Sequence, residues 1–287
     1  MDRLSTPGDL ADCEALQCAV FGARSPAVLR RPALHVVAES GGLLLGVREA
    51  RGLPLLGCLV DFPSSFGGFA ALVSYARLVA PEARGRGFGL ALHVAEWEEA
   101  RSLSAAVIRG WVDPLSSVES HLLFGRMGAV GTDYGRDIFG DVSDLGQRGL
   151  ATDRVAYEWW TESPRSLAAM QSASASHPAV GLHEMAVATR TKPATGGHRV
   201  LLHHDLAGTP THVLVEIPAS LEGIQSADPG AARDWRLGTR ELFEGLFKTG
   251  YLLVGLVHEA GRSFQWFERV GRGEILGRDP RSHRRTT

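Results

Sequence analysis

Apolar and polar positions along this chain alternate between a helical and a strand period, and the switches outline its elements. Leu10, Cys13, Leu16, Val20 and Phe21 recur at helical spacing, with Asp9 in a capping position and Gly22 as a stop. A shorter helix is expected around Arg31 to Ser40. Gly42 to Arg48 and Pro54 to Phe62 are apolar runs split by Arg51-Gly52, the signature of strand, turn, strand. Pro63 to Gly68 is rich in turn formers. In the third strand, Phe69 to Val79, strict alternation would set Val73, Tyr75, Arg77 and Val79 on one face and Ser74, Ala76 and Leu78 on the other. Pro81 ends that strand. A glycine-rich loop then opens a helix from about Gly87 to Arg101, followed by a strand over Ala105 to Val112. Asp113-Pro114 turns into a helix covering roughly Leu115 to Met127, which Gly128 stops. Asp153 to Trp160 is a further strand.

The pattern then loosens. Ser172-Ala173-Ser174-Ala175-Ser176 and Pro193-Ala194-Thr195-Gly196-Gly197 mark a boundary, so the expected division is a first domain over 1–162, an irregular linker over 163–197, and a smaller α/β domain over 198–270. In this last part His198 to His204 and Thr211 to Ile217 are expected to pair as strands. Asp228-Pro229 starts a helix whose apolar face carries Trp235, Thr239, Leu242, Phe243, Leu246 and Phe247. Tyr251 to Glu259 and Arg262 to Glu268 form a hairpin around Ala260-Gly261. The basic stretch 271–287 is expected to be a disordered tail. The fold class is α/β with a mixed sheet.

Composition narrows the partners. At 44% hydrophobic and 22% charged residues, the 287-residue chain has ordinary globular proportions. A formal net charge of −2 supplies no overall field to draw nucleic acid or an anionic membrane, and neither is expected as a partner. No apolar run approaches the roughly 18 residues that span a membrane. Met1 to Leu10 lacks the apolar core of a signal peptide, and Cys13, Cys18 and Cys58 form no framework, so a reducing cytoplasm is the expected location. His203, His204 and His212 lack the partners and spacing of a metal set, and no metal is expected.

The chemistry concentrates in Arg84-Gly85-Arg86-Gly87-Phe88-Gly89. Backbone N–H groups at a glycine turn entering a helix converge on one point, and the helix dipole adds partial positive charge, which makes an anion cradle. A Walker loop would need Gly-Lys-Ser/Thr, which is absent. A dinucleotide fingerprint would need glycine where Leu90 stands, although Asp113 falls near its acidic position. Arg-x-x-Gly-x-Gly after a strand ending Val-x-Pro fits without a gap.

In this respect Leu78-Val79-Ala80-Pro81-Glu82-Ala83-Arg84-Gly85-Arg86-Gly87-Phe88-Gly89 resembles the acyl-CoA loop of the GNAT superfamily of N-acyltransferases. Trp111-Val112-Asp113-Pro114-Leu115, Met127-Gly128-Ala129, Tyr134-Gly135, Asp153-Arg154-Val155 and Glu158-Trp159 extend the likeness to a bacterial branch of predicted acetyltransferases. That branch carries a C-terminal extension similar to Trp235-Arg236, Arg240 and Gly250-Tyr251. The resemblance implies a GNAT fold with a smaller half-GNAT-like C-terminal domain that covers the acceptor side or forms a homodimer. It implies acetyl-CoA or another acyl-CoA as co-substrate and a small-molecule amine as acceptor. Leu78 and Val79 would pair with the pantetheine arm on a strand that splays from its neighbour, and Arg84 to Gly89 would hold the phosphates.

The resemblance also exposes gaps. The tyrosine that often protonates the departing thiolate is replaced by Phe124, leaving Tyr134 or water, and Glu119 stands where the branch frequently has asparagine. No carboxylate lies between Phe62 and Leu78, so Asp113 is the candidate base, with a helix cap as its alternative role. Tyr75, His121 and Arg236 are candidate acceptor contacts. Arg236 and Arg240, one turn apart, form either a carboxylate clamp or a solvated helix face. The functions that follow are acetyl transfer to a small amine, succinyl transfer to an amino acid, or acyl-CoA binding without catalysis.

Overall fold

The computed structural model describes residues 1–50, 52–140, 149–171, 185–194 and 196–277. After the short strand β1 (Asp2–Arg3), helix α1 (Pro7–Phe21) opens with Thr6, not Asp9, as its cap. Thr6 Oγ1 accepts from the Asp9 N–H and the Asp9 carboxylate accepts from the Thr6 N–H, so Asp9 is the third-position partner of a capping box. Helix α2 (Arg31–Glu39) follows, and β2 (Leu43–Val47), β3 (Gly57–Phe66) and β4 (Phe69–Val79) form an antiparallel meander. The supposedly turn-rich stretch after Phe62 is mostly strand. Only Gly67 and Gly68, both at positive φ, make the hairpin turn.

Helix α3 (Phe88–Ser102) leads to β5 (Val107–Val112), and α4 (Ser117–Ser120) continues as a π-helical turn over His121–Arg126. Strand β6 (Val130–Gly135), absent from the sequence expectations, pairs with β7 (Arg154–Trp160). The segment expected as an irregular linker contains helix α5 (Pro164–Gln171) and strands β8 (Ala186–Val187) and β9 (Thr189–Pro193). Residues 172–184 and 195 lie outside the described ones.

Strands β10 (Arg199–His204) and β11 (His212–Ile217) do not pair with each other as expected: β10 makes a separate hairpin with β9. Helices α6 (Leu221–Ala227) and α7 (Pro229–Lys248) precede the hairpin β12 (Tyr251–Glu259) and β13 (Arg262–Arg269), whose place in sequence is as expected. The stretch expected to begin a disordered tail starts with helix α8 (Arg272–Leu276), which buries Leu276; residues 278–287 lie outside the described ones.

The mixed α/β class is what the chain forms. Eleven strands make one sheet in the order β1-β2-β3-β4-β5-β7-β6-β12-β13-β11-β8. The N-terminal and C-terminal halves meet where Leu253 pairs with Gly131, and a side chain on Gly131 would collide with Leu253. The largest core is shared between them. Leu92, Trp97, Phe124 and Trp159 belong to the same buried cluster as Trp235, Phe243 and Phe267. Helices α1 and α2 cover the other face of β2–β4 through Leu10, Cys13, Leu34 and Cys58.

Candidate functional site

The site begins with one extra residue in β4. Val60 pairs with Ala76 and Asp61 with Ser74, so Tyr75 is a bulge. A bulge bends its strand and shifts every later side chain to the opposite face. The strict alternation read from the sequence therefore fails at Tyr75. Ser74 and Arg77 hydrogen-bond at 3.1 Å on the α3 side, while Ala76 and Leu78 pack with α1 and α2. Tyr75 itself is exposed, donates its hydroxyl to the Ala27 carbonyl at 2.9 Å and packs edge-on against Phe62.

The bend separates β4 from its parallel neighbour. The two strands pair only over Ala71–Val73 and Val107–Arg109, and β5 then runs on beside β7 to Val112. From Ser74 to Val79, no described strand pairs with the β5-facing edge of β4. Unpaired strand edges present backbone donors and acceptors to whatever fills the gap. The splay expected at Leu78 and Val79 is present.

At the wide end of the notch the chain turns through Pro81–Ala83 into the glycine loop. Gly85 and Gly87 have φ of +75° and +88°, a region costly for other residues, although a Cβ at either would meet open space. Gly87 caps α3 without a side-chain acceptor, and the first intrahelical bond runs from the Ala91 N–H to the Gly87 carbonyl. The N–H groups of Phe88, Gly89 and Leu90 are the orphan donors of this helix start. Such an end attracts anions.

Loop and notch open into one cavity of about 640 Å³. Its lining includes Leu78, Val79, Arg84, Gly85, Gly87, Phe88, Gly89, Glu119 and His121 among the residues named from sequence. Arg86 does not line it. Its guanidinium pairs with Glu49 at 2.7 Å and stacks on Phe88. Sequence reasoning missed Arg77 and His258. Arg77 stood out as a cation between Ala76 and Leu78 in an apolar strand; His258 carried no local signal, because it arrives from β12. The His258 ring lies 5.3 Å from that of His121, its Nδ1 is 3.1 Å from Ser263 Oγ, and partial burial lowers its pKa.

Arg77 lies across the floor of the notch. Its Nη1 donates to Glu96 at 3.0 Å and to Tyr157 Oη at 3.1 Å, and its Nη2 donates to the same Tyr157 oxygen at 3.0 Å. This reach passes over Gly110 of β5, where a Cβ would sit 2.7 Å from Tyr157 Oη. Asp61 is fully buried beside Glu96. Burial first, then the Glu96 charge, push its carboxyl well above the usual range, and burial also raises Glu96 against the pull of Arg77. Glu96 is the ion-pair partner of Arg77, at 3.0 Å.

Asp113, Tyr134 and Arg236 fall elsewhere. The Asp113 carboxylate accepts two hydrogen bonds from Arg236, at 2.8 and 2.6 Å, and one from the Leu115 N–H at 2.8 Å. Burial opposes its ionisation, but the Arg236 charge and hydrogen bonds outweigh burial and hold its pKa below the usual range. Ser116, not Asp113, caps α4. The Tyr134 hydroxyl donates to Asp153 at 2.7 Å, and Arg240 makes two bonds of 2.8 Å to the same carboxylate. Burial, then Asp153, raises the Tyr134 pKa. Arg236 and Arg240 are therefore neither a ligand clamp nor a solvated face. Each is an ion-pair partner of a carboxylate in the N-terminal half. Among the described residues no cluster of His, Cys, Asp and Glu could hold a metal, and no helix is long and apolar enough to cross a membrane.

No protein-family model matches this chain, and no curated protein matches it either. Among solved structures, the chain is similar to a Salmonella typhimurium protein solved with acetyl-CoA, with 16% identity and a TM-score of 0.45 over 63% of this chain and 96% of that one. It is similar to the ribosomal-protein-S18-alanine N-acetyltransferase of Escherichia coli, at 12% identity and a TM-score of 0.43 over 56% and 92%. It is also similar to a GNAT-family acetyltransferase of Streptococcus pneumoniae, at 13% identity and a TM-score of 0.44 over 54% and 95%. Each match spans nearly all of the other chain and little more than half of this one.

Proposed function

We propose that this chain binds an acyl-CoA in the cavity between β4, α3 and α4 and transfers its acyl group, acetyl in the first instance, to the amine of a small molecule. The observation that carries the reading is the continuity of the cavity. An uncapped helix start behind a glycine loop opens directly onto an unpaired strand edge. The first element suits a pyrophosphate. The second suits an extended arm bearing amides, which needs alternating backbone donors and acceptors. Arg84, half exposed at the rim, adds charge toward the phosphates, while Leu78 and Val79 supply the edge. Holding thioester and amine together removes much of the entropic barrier to their reaction.

A bound acyl-CoA supplies the activated acyl group; the chain supplies position and proton handling. Glu119, His121 and His258 line the cavity. His258, its pKa lowered by burial, is neutral at neutral pH and able to accept the proton an attacking amine must lose. A reading without catalysis has one observation in its favour: Asp113 and Tyr134, the acid–base candidates of the sequence, are both engaged in buried pairs. Succinyl selection by Arg236 and Arg240 is disfavoured, because both are spent on Asp113 and Asp153.

The test is calorimetric titration with acetyl-CoA and CoA, followed by thiol release from acetyl-CoA across a panel of amines. Undetectable binding refutes the reading. Binding without turnover on any amine selects the non-catalytic alternative.

A further inference from the structure

A second cavity, of about 350 Å³, lies in the C-terminal half and shares no lining residue with the one behind the glycine loop. Its charged lining is built around Glu216 of β11, whose side chain is 2% exposed. Arg262 of β13 donates Nε and Nη2 to the two carboxylate oxygens at 3.0 and 2.5 Å, and its guanidinium lies over the Phe264 ring. Arg199 of β10 brings its Nε to 2.9 Å from the same carboxylate, and its Nη2 donates to Thr191 Oγ1 and to the Thr191 carbonyl. One buried carboxylate thus fixes two guanidiniums by their inner edges. A guanidinium carries five N–H donors, and these contacts leave both Nη1 groups unused. Among the described residues neither Nη1 has an acceptor, and neither is enclosed. The two side chains are 30% and 35% exposed where they line the cavity.

We propose that this cavity is a second ligand site, separate from the acyl-CoA cavity, for a small carboxylate with an aliphatic body. The site does not depend on the acyl-CoA reading. Two arginines and one glutamate give the lining one positive charge in surplus. Asp228, near His198, and Glu259, near Arg262, lie outside the lining and are well exposed, so water screens their charge. Ser220 adds a hydroxyl at the rim: its Oγ accepts from the Gly223 N–H at 3.0 Å and keeps its own proton to donate. His198 also lines the cavity, but both ring nitrogens are enclosed, and it serves as wall.

Charge and wall together choose the ligand. A carboxylate carries the single negative charge that the surplus balances, whereas a phosphate near neutral pH carries more. The outer Nη1–Nη2 edge of Arg262 is a planar pair of donors, which suits the two oxygens of a carboxylate. Ile217, Pro218, Ile224 and Ala227 make the rest of the wall apolar, so the body attached to the carboxylate gains by being aliphatic. The arginines need no rearrangement to bind, because Glu216 and Thr191 already hold them. Preorganised donors of this kind lower the entropic cost of binding.

The experiment titrates the full chain with isovalerate, with its uncharged amide isovaleramide and with inorganic phosphate, by calorimetry at low salt. Wild type is compared with Arg262→Lys and Ala227→Trp. Lysine keeps a cation beside Glu216 but loses the planar donor pair. Ala227 is exposed at the end of α6, so tryptophan there fills the cavity without entering the core, and this variant decides the matter if Arg262→Lys fails to fold. The expected result is saturable isovalerate binding with a Kd of about 10 mM or tighter, and at least about tenfold tighter than either isovaleramide or phosphate. Both variants are expected to weaken isovalerate by about tenfold or more. Wild type that binds isovalerate more weakly than this overturns the site, and isovalerate affinity unchanged in both variants overturns its location. Phosphate or isovaleramide binding as tightly as isovalerate overturns the ligand class. Acetyl-CoA affinity lost in Ala227→Trp together with isovalerate overturns the separateness of the two cavities, whereas wild type that binds isovalerate but no acetyl-CoA upholds this site and refutes the acyl-CoA reading alone.

Discussion

Arg236→Met tests a buried ion pair that ties the two halves of the chain together. The guanidinium it removes is 1% exposed and makes bonds of 2.8 and 2.6 Å to Asp113. Methionine fills similar volume, so the loss is electrostatic: a buried carboxylate is left with Arg154, 4.0 Å away, as its charged neighbour. Breaking a buried pair from one side costs about 3–5 kcal/mol, and the Arg154 contact puts this case near the lower figure. For a protein of this size, about 3 kcal/mol corresponds to a fall in Tm of roughly 6–12 °C. The double variant Asp113→Asn/Arg236→Met removes the stranded charge as well and is expected to stand about 2 kcal/mol above the single variant.

Urea unfolding at neutral pH, followed by tryptophan fluorescence with Trp235 one position from the change, measures both values. A single variant within about 1 kcal/mol of wild type refutes the reasoning, and so does a double variant no more stable than the single one. The same proteins separate cap, base and brace. Asp113 does not line the cavity, so thiol release by the double variant should stay within about threefold of wild type. A loss of about 100-fold with acetyl-CoA binding intact would reinstate Asp113 as the general base.

Gly87→Ala introduces no clash, because its Cβ meets open space, but it forces alanine to a φ of +88° at the α3 cap. That conformation costs about 1–2 kcal/mol, and acetyl-CoA affinity measured by calorimetry should weaken by about tenfold as the loop relaxes. The acid limb of stability follows from the carboxyls of Asp113, Asp153 and Glu216, whose folded pKa values are all depressed. Their contribution is complete above the unfolded values near 4 and is lost as pH falls through the folded ones. Urea midpoints should therefore drop below about pH 4, and less steeply in Asp153→Asn. Asp61, with its pKa raised, works in the opposite sense. Its contribution falls as pH rises above the unfolded value near 4, so Asp61→Asn should be more stable than wild type at neutral pH.

The parts legible in the sequence are those written locally. The loop from Val79 to Gly89 is contiguous, and its helix start, positive-φ glycines and preceding strand end could each be read from neighbours. The hairpin β12–β13 was legible for the same reason. The Tyr75 bulge was not, because an inserted residue leaves the apolar pattern intact while reversing which face it describes. Strand β6 was hidden by Thr132 and Asp133, which break its alternation, and its identity comes from pairing with β7. The pairing of β10 was misread because proximity in sequence suggested β11, whereas β11 is taken by β13 and β8. The roles of Asp113, Arg236 and Arg240 were beyond sequence altogether. The two pairs join residues 123 and 87 positions apart, and the packing of α7 against the first half selects ion pairing over solvent.

That packing bears on the cavity itself. Residues of the N-terminal half supply the loop, the notch and most of the lining, but the first turn of α4 forms the facing wall through Ser117, Val118 and Glu119. This turn is held largely from the other half. Ser117 Oγ donates to the Ala219 carbonyl at 2.8 Å, and Gln265 donates to the Pro114 carbonyl at 2.7 Å and to Ser120 Oγ at 3.0 Å. His258 closes the rim. A short helix interrupted by a π turn has little stability of its own. Its position depends on these contacts and on the core that Leu123 and Phe124 share with Phe243 and Phe267. The distance between the glycine loop and its facing wall, and with it the width offered to a ligand, is thus set by residues more than a hundred positions downstream.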